Sequence, residues 1–214
     1  MEYITPEEML EHERRASAKG VTVAALMENA GSGIASEIEA RFKPIRGRRI
    51  VIVAGLGNNG GDGVVAGRYL DAKRATVVVF LLGDSKSIKG PESRQNWTRL
   101  EETNVKTIEI TKAEEIELLQ RALRNADVVV DSIFGTGVKG EIKDPYATAI
   151  RLINAADSTR VSVDIPSGLD PLTGVAKNPT VRADLTLTLH KPKTGLRGRK
   201  EFTGEVVIVP LGIE

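Results

Sequence analysis

The sequence predicts a three-layer α/β/α sandwich around a mostly parallel central sheet, and three observations predict it. Apolar, β-branched runs recur along the chain from Arg48 onward, helical segments separate most of them, and the loops after several runs are short and rich in Gly and Asp. A strand buried on both faces reads as a continuous apolar run. Strand–helix alternation with short loops joins such strands in parallel through right-handed crossovers. A chain of 214 residues holds one substantial core, so residues 1–214 are read as a single domain.

The elements follow in order. Thr5-Pro6-Glu7-Glu8 opens a helix: a hydroxyl at the N-cap, Pro at the first helical position, and Glu at the third reaching back to the cap amide. Gly20 is a natural terminator for it. Thr22 caps a second helix from Val23 to Phe42, unusually small-sided through Ala24, Ala25, Asn29, Ala30, Gly31, Ser32 and Gly33. Each glycine costs a helix about 1 kcal/mol against Ala, so these positions serve close approach, either of the sheet or of a ligand or partner subunit. Strands are expected at Arg49–Ala54, Ala75–Leu82, Asp127–Asp131, Arg160–Asp164, Leu185–Leu189 and Glu205–Val209, with a weaker one at Thr107–Ile110. Between the weaker strand and Asp127, Thr111 and Glu114 predict a capping box for a helix to Asn125, with Ile116, Leu118, Leu119 and Leu123 on its apolar face.

Composition excludes several chemistries. There is no cysteine, which removes a thiol nucleophile, a disulfide framework and a Cys-containing zinc site. His12 and His190 are the two histidines, and no nucleophile-elbow sequence accompanies them. Lys plus Arg number 30 against 29 acids, for a net charge of +1, without the basic field of a nucleic-acid binder. The locally basic stretch Lys191, Lys193, Arg197, Arg199, Lys200 reads as a solvated loop, since no aromatic is interleaved to stack bases. No apolar run approaches the roughly 20 residues that cross a bilayer, and the Glu-rich start is neither a secretory signal nor a transit peptide. A soluble cytoplasmic protein is expected, whose chemistry rests on carboxylates, amides, hydroxyls and backbone groups.

Three loops follow strands and carry these groups: Gly55-Leu56-Gly57-Asn58-Asn59-Gly60-Gly61-Asp62-Gly63, Asp131-Ser132-Ile133-Phe134-Gly135-Thr136-Gly137, and Asp164-Ile165-Pro166-Ser167-Gly168-Leu169-Asp170. Parallel strands bring the three to one sheet edge, where ligands of such folds bind. The first precedes a helix expected to begin near Val64, and Gly55, Gly57 and Gly60 formally satisfy the dinucleotide pattern. Asp62 argues against an ordinary NAD turn, because a carboxylate repels a pyrophosphate unless a cation or donors offset it. Asp84 stands near where a ribose-binding acid could sit. Asp131 and Asp164 end their strands; brought close, two carboxylates raise each other's proton affinity, which suits acid/base work. Alternatively, a carboxylate, the Asn59 carbonyl and the Ser167 hydroxyl coordinate a hard cation. Spacing does not choose between these.

In order and over nearly the whole chain, Leu26-Met27-Glu28-Asn29-Ala30-Gly31, the loop Gly57–Gly63, the segment Asp131–Gly137 and Val163-Asp164-Ile165-Pro166-Ser167-Gly168 resemble the NAD(P)H-hydrate epimerase family, also called the YjeF N-terminal domain family. The resemblance implies a Rossmann-like fold and an isomerase that interconverts the R and S epimers of NADHX and NADPHX, the nicotinamide cofactors hydrated at C6. It implies substrate contacts from Asn58, Asn59, Gly60, Gly61 and Asp62, from Gly135, Thr136, Gly137, Val138, Lys139, Gly140 and Glu141, and from Asp164. It implies a potassium ion held by Asn59, Asp131 and Ser167, and such an ion meets the objection raised by Asp62. The chain departs from the family pattern mildly, at Glu13, where Asp is commoner, and in the basic Lys193–Lys200 stretch.

Asp164 is the expected proton-transfer residue. Protonating the C6 hydroxyl, or removing its proton, lets the carbon lose its configuration through an iminium or a ring-opened aldehyde. In many relatives the domain is fused to an ADP- or ATP-dependent dehydratase, which is the expected functional partner, and the small-sided second helix suits a homodimer. The competing class is a noncatalytic nucleotide-binding or scaffold protein on the same fold, the role of relatives in RNA-decapping and lipoprotein-associated complexes. Intact Asp62, Asp131 and Asp164 favour the enzyme. A conventional NAD-dependent oxidoreductase is the third reading, and Asp62 argues against it.

Overall fold

In the computed structural model, which describes residues 2–137 and 140–213, seven strands form one sheet: β1 (Arg49–Ala54), β2 (Thr76–Leu81), β3 (Lys106–Glu109), β4 (Val128–Ser132), β5 (Thr159–Val163), β6 (Leu185–Leu189) and β7 (Glu205–Val209). Their order is β3-β2-β1-β4-β5-β6-β7, and every pairing is parallel. The predicted runs fall within a residue of these strands, because a β-branched run buried on both faces has no other use. Side chains alternate between two cores. Ile50, Ile52 and Ala54 of β1 join the core beneath α1 (Pro6–Ala18), α2 (Val23–Arg41), α3 (Asn58–Ala72) and α4 (Pro91–Arg99). Val51 and Val53 join the opposite core, beneath α5 (Ala113–Leu123) and α6 (Tyr146–Asn154). A short α7 (Lys200–Thr203) precedes β7. Among the described residues no helix is long and apolar enough to cross a membrane.

The chain runs outward from β1 to β2 and β3, then returns to lay β4 on the other side of β1. The reversal between β1 and β4 opens a crevice at the carboxyl ends of those strands. Both Gly-rich loops begin there.

Three expectations are corrected. α3 starts at Asn58 with Gly57 as its N-cap, not near Val64, so Asn58 to Asp62 form the first turn of a helix. At α5 the capping acid is Glu115, which accepts the amides of Thr111 and Lys112, rather than Glu114. The basic stretch is not a solvated loop: Lys193 is buried, Lys191 pairs with Glu2 at 2.7 Å, and Arg197 lies over the Tyr3 ring.

The small side of α2 packs on its neighbours. A Cβ on Gly31 would lie 2.3 Å from Val65 Cγ1 and 2.8 Å from the Ala66 amide, and one on Gly33 would lie 2.4 Å from Val209 Cγ1. Glu28 crosses to α3 as well, accepting from Arg68 Nη2 at 2.7 Å and from the Tyr69 hydroxyl at 2.7 Å. We expect Gly31→Ala to cost about 1–3 kcal/mol by overpacking, more than the helix propensity it gains, and thermal denaturation should show a melting point several degrees lower.

Candidate active site

The turn from β1 into α3 is pressed against the loop after β4. A Cβ on Gly55 would sit 2.0 Å from the Ile133 carbonyl, and one on Gly60 would sit 1.9 Å from the Gly55 carbonyl. Only glycine allows this approach, and it aims the start of α3 into the crevice. The first amides of a helix have no partner within it and attract anions.

Above this turn lies a cavity of about 490 Å³. Asn58, Asn59 and Asp62 line it from α3, Gly135, Thr136 and Gly137 from the loop after β4, and Asp164 from the end of β5. Gly60 and Gly61 sit beneath it, Gly60 against Gly55 and Gly61 against Met27 and Ser93. Gly140 and Glu141 are exposed and outside its lining. Val138 and Lys139 lie outside the described residues.

Among the further residues that line this cavity, and that sequence reasoning did not assign to the site, are Glu13, Lys89, Phe134 and Lys193. Lys193 changes the chemistry most. It is 1% exposed, its ammonium donates to Asp164 Oδ1 in a buried ion pair, and it donates again to the Leu189 carbonyl at 2.8 Å. The Leu189 amide also donates to Asp164 Oδ1, at 3.2 Å. Asp164 itself takes a left-handed backbone, φ 66°, just past β5, a conformation Asp tolerates better than most residues. That turn places the carboxylate beside Lys193 instead of continuing the strand. A short bridge between Ile4 and Lys193 ties the N-terminus to this edge and so delivers α1 with Glu13. Signals for both residues were present: Lys193 follows β6 on the edge where the three loops gather, and Glu13 shares a helix face with buried Met9 and Ala16.

Three carboxylates therefore share the cavity with Lys193. Asp62, 8% exposed, has its proton affinity raised well above the ordinary value, first by burial and then by the charges of Asp164 and Glu13, with Lys193 opposing. Glu13 is raised too, chiefly by burial. The interacting pair is thus Asp62 with Asp164, and not Asp131 with Asp164, one of the two arrangements that spacing left open. Asp131 is raised mainly by its own burial. His190, at the end of β6, contacts His12 at 2.8 Å between ring nitrogens and does not line the cavity.

Asp131 and Ser167 stand behind the cavity wall, each 1% exposed. Asp131 Oδ1 accepts the Ser167 hydroxyl at 2.6 Å; Oδ2 accepts the Ser167 amide at 2.9 Å and the Ser162 hydroxyl at 2.8 Å. The Ser167 hydroxyl oxygen accepts the Phe134 amide at 2.9 Å. On the far side of that loop the Asn59 side chain abuts Gly135, and its Nδ2 is buried without a hydrogen-bond partner. The described residues hold no cluster of three His, Cys, Asp or Glu fit for a metal. What they hold is one carboxylate with hydroxyl, amide and carbonyl oxygens, a donor set of low charge that fits an alkali cation, whose shell oxygen dipoles can replace.

Residues 23–195 match the family model described as YjeF-related protein N-terminus. The chain is 39% identical to the NAD(P)H-hydrate epimerase of Nitrosopumilus maritimus, over 98% of this chain and 95% of that one, and equally to that of Cenarchaeum symbiosum. It is 42% identical to the bifunctional NAD(P)H-hydrate repair enzyme Nnr of Pyrobaculum aerophilum, where it covers 42% of the longer chain. The crystal structure of yeast ynu0 superposes with a TM-score of 0.82 at 24% identity, over 91% of this chain and 83% of that one, which shows the Rossmann-like fold.

Proposed function

Since the chain belongs to the family of YjeF-related protein N-termini, we propose that its cavity is the active site of an NAD(P)H-hydrate epimerase, interconverting the R and S forms of NADHX and NADPHX. The observation that carries this reading is a carboxyl of raised proton affinity, Asp62, sharing a cavity with the ion-paired carboxylate of Asp164. Two carboxyl groups whose environments differ divide acid and base roles between them.

C6 of the hydrate carries a hydroxyl beside ring nitrogen N1. Asp62 gives its proton to that hydroxyl, the C6–O bond breaks, water leaves, and the N1 lone pair forms the C=N bond of a planar iminium. Water then adds to the opposite face and loses a proton to Asp164. The reverse direction exchanges the roles of the two carboxyls. Lys193 orients Asp164, and the tether from Lys193 Nζ to the Leu189 carbonyl keeps the pair in place. The pyrophosphate lies between the start of α3 and Lys89 at the cavity's edge. Asn59, Asp131 and Ser167 are the residues that would hold a potassium ion. Bound there, it would offset the carboxylates' repulsion of the phosphates.

The direct test follows isolated R-NADHX by chiral chromatography in potassium chloride and in choline chloride at equal ionic strength. Enzyme should bring the S form in faster than the spontaneous rate, and more so with potassium; no acceleration in either salt would sink the assignment. Ser167→Ala should raise the potassium concentration for half-maximal rate by about 10–100-fold. An unchanged salt response would remove Ser167 from the ion's shell.

The bifunctional relatives carry this domain within a longer repair enzyme. We take the remainder to be the dehydratase that consumes one epimer, so that this chain keeps both epimers available to it. Action in the cytoplasm and pairing as a homodimer belong to the same proposal.

A further inference from the structure

Beside the active-site cavity lies a second one of about 680 Å³, over the carboxyl ends of β2 and β3. The two are contiguous, since Leu56 and Tyr146 line both. Their chemistry differs. The first holds carboxylates, amides and ammonium groups. The second has apolar walls from Leu82, Ile110, Ile116 and Tyr146, with Asp84, Lys112 and Asp144 exposed at its rim. Nothing in the mechanism above uses it.

We propose that this second cavity binds the adenosine half of the dinucleotide, an inference that rests on the epimerase reading and assigns the other end of the same substrate. Three observations converge on it. The substrate joins two nucleosides through a pyrophosphate, and the two contiguous cavities, about 490 and 680 Å³, each have the size of a pocket that encloses one ligand, about 300–1,000 Å³, so each half has a cavity of fitting size. The path from Asp164 to the second cavity crosses the start of α3, where helix amides meet the linking pyrophosphate. Apolar walls suit a flat purine, and Tyr146, tilted at 41° against Phe134 with ring centroids 4.9 Å apart, presents an aromatic surface at the junction. Asp84 follows β2, the position from which an acid reaches ribose hydroxyls in sheets of this order.

The test compares NADHX with hydrated reduced nicotinamide mononucleotide, which lacks the adenosine half. Ile116→Trp fills the second cavity from α5, away from the reacting atoms. Its kcat/KM for epimer exchange should fall at least tenfold on the dinucleotide and stay at the wild-type value on the mononucleotide. An equal fall on both substrates, or no fall on the dinucleotide in a folded variant, would overturn the assignment. Should the variant fail to fold, adenosine added to wild-type enzyme decides. It should compete with NADHX and leave mononucleotide exchange unaffected; inhibition of both, or of neither, refutes the subsite. Wild-type enzyme that exchanges neither substrate would instead refute the epimerase reading.

Discussion

Asp164→Asn is expected to slow epimer exchange by about 10²–10⁴-fold, the contribution of a positioned proton-transfer group, and to lower the melting point as well. Asn tolerates the left-handed backbone at this position nearly as well as Asp, so the substitution removes charge without forcing the turn. It leaves the Lys193 ammonium buried without its partner. Removing one member of a buried pair costs about 3–5 kcal/mol, and here the loss should sit toward the lower end, because Asp62 and Glu13 also act on the same cavity. The double variant Asp164→Asn, Lys193→Met separates the two effects. It should regain most of the lost stability, since an apolar side chain replaces the stranded charge, while exchange stays as slow as in the single variant. Near-normal exchange in Asp164→Asn would take the proton-transfer role from this residue. A double variant no more stable than the single would show that the unpaired ammonium was not the cause.

The fold was legible because its strands leave little choice: Val128 to Val130 or Ile50 to Ala54 can only be central strands buried on both faces. The start of α3 was not legible. Asn58-Asn59-Gly60-Gly61 has poor helix propensity, and the turn is helical because Gly60 can rest on the Gly55 carbonyl, a contact local sequence does not display. The site was half legible. Glycine and aspartate after parallel strands pointed to the sheet edge where the cavity lies, and topology does the rest. Lys193 was misread because it was counted with its charged neighbours in sequence, whereas its environment is set by Asp164, 29 residues earlier. The pairing of carboxyls was left open for a related reason. Asp131 and Asp164 look equivalent at strand ends, yet Asp131 lies inside β4 behind Ser167, and Asp164 turns out of β5 into the cavity. The second cavity depends on where α5 and α6 come to rest, which no single motif encodes.

Asp62→Asn should slow exchange by about 10²-fold or more and yet stabilise the protein at neutral pH. Buried beside Asp164 and Glu13, Asp62 holds its proton well above its ordinary value of 3.8. Between that value and its raised one the folded state binds more protons than the unfolded state, so stability declines as pH rises through the window. Asn resembles the neutral acid in shape and cannot ionise. Below about pH 4 variant and wild type should therefore melt together, and the variant should gain ground steadily as pH rises toward neutrality and beyond. Activity runs the other way. Wild-type exchange should fall on the alkaline side as Asp62 gives up its proton, whereas the residual exchange of the variant should lose that limb. A carboxylate that stabilised the fold as an anion would give the opposite stability profile. Melting curves placing Asp62→Asn below wild type at neutral pH, with the gap closing in acid, would show Asp62 charged in the folded state and take the acid role from it.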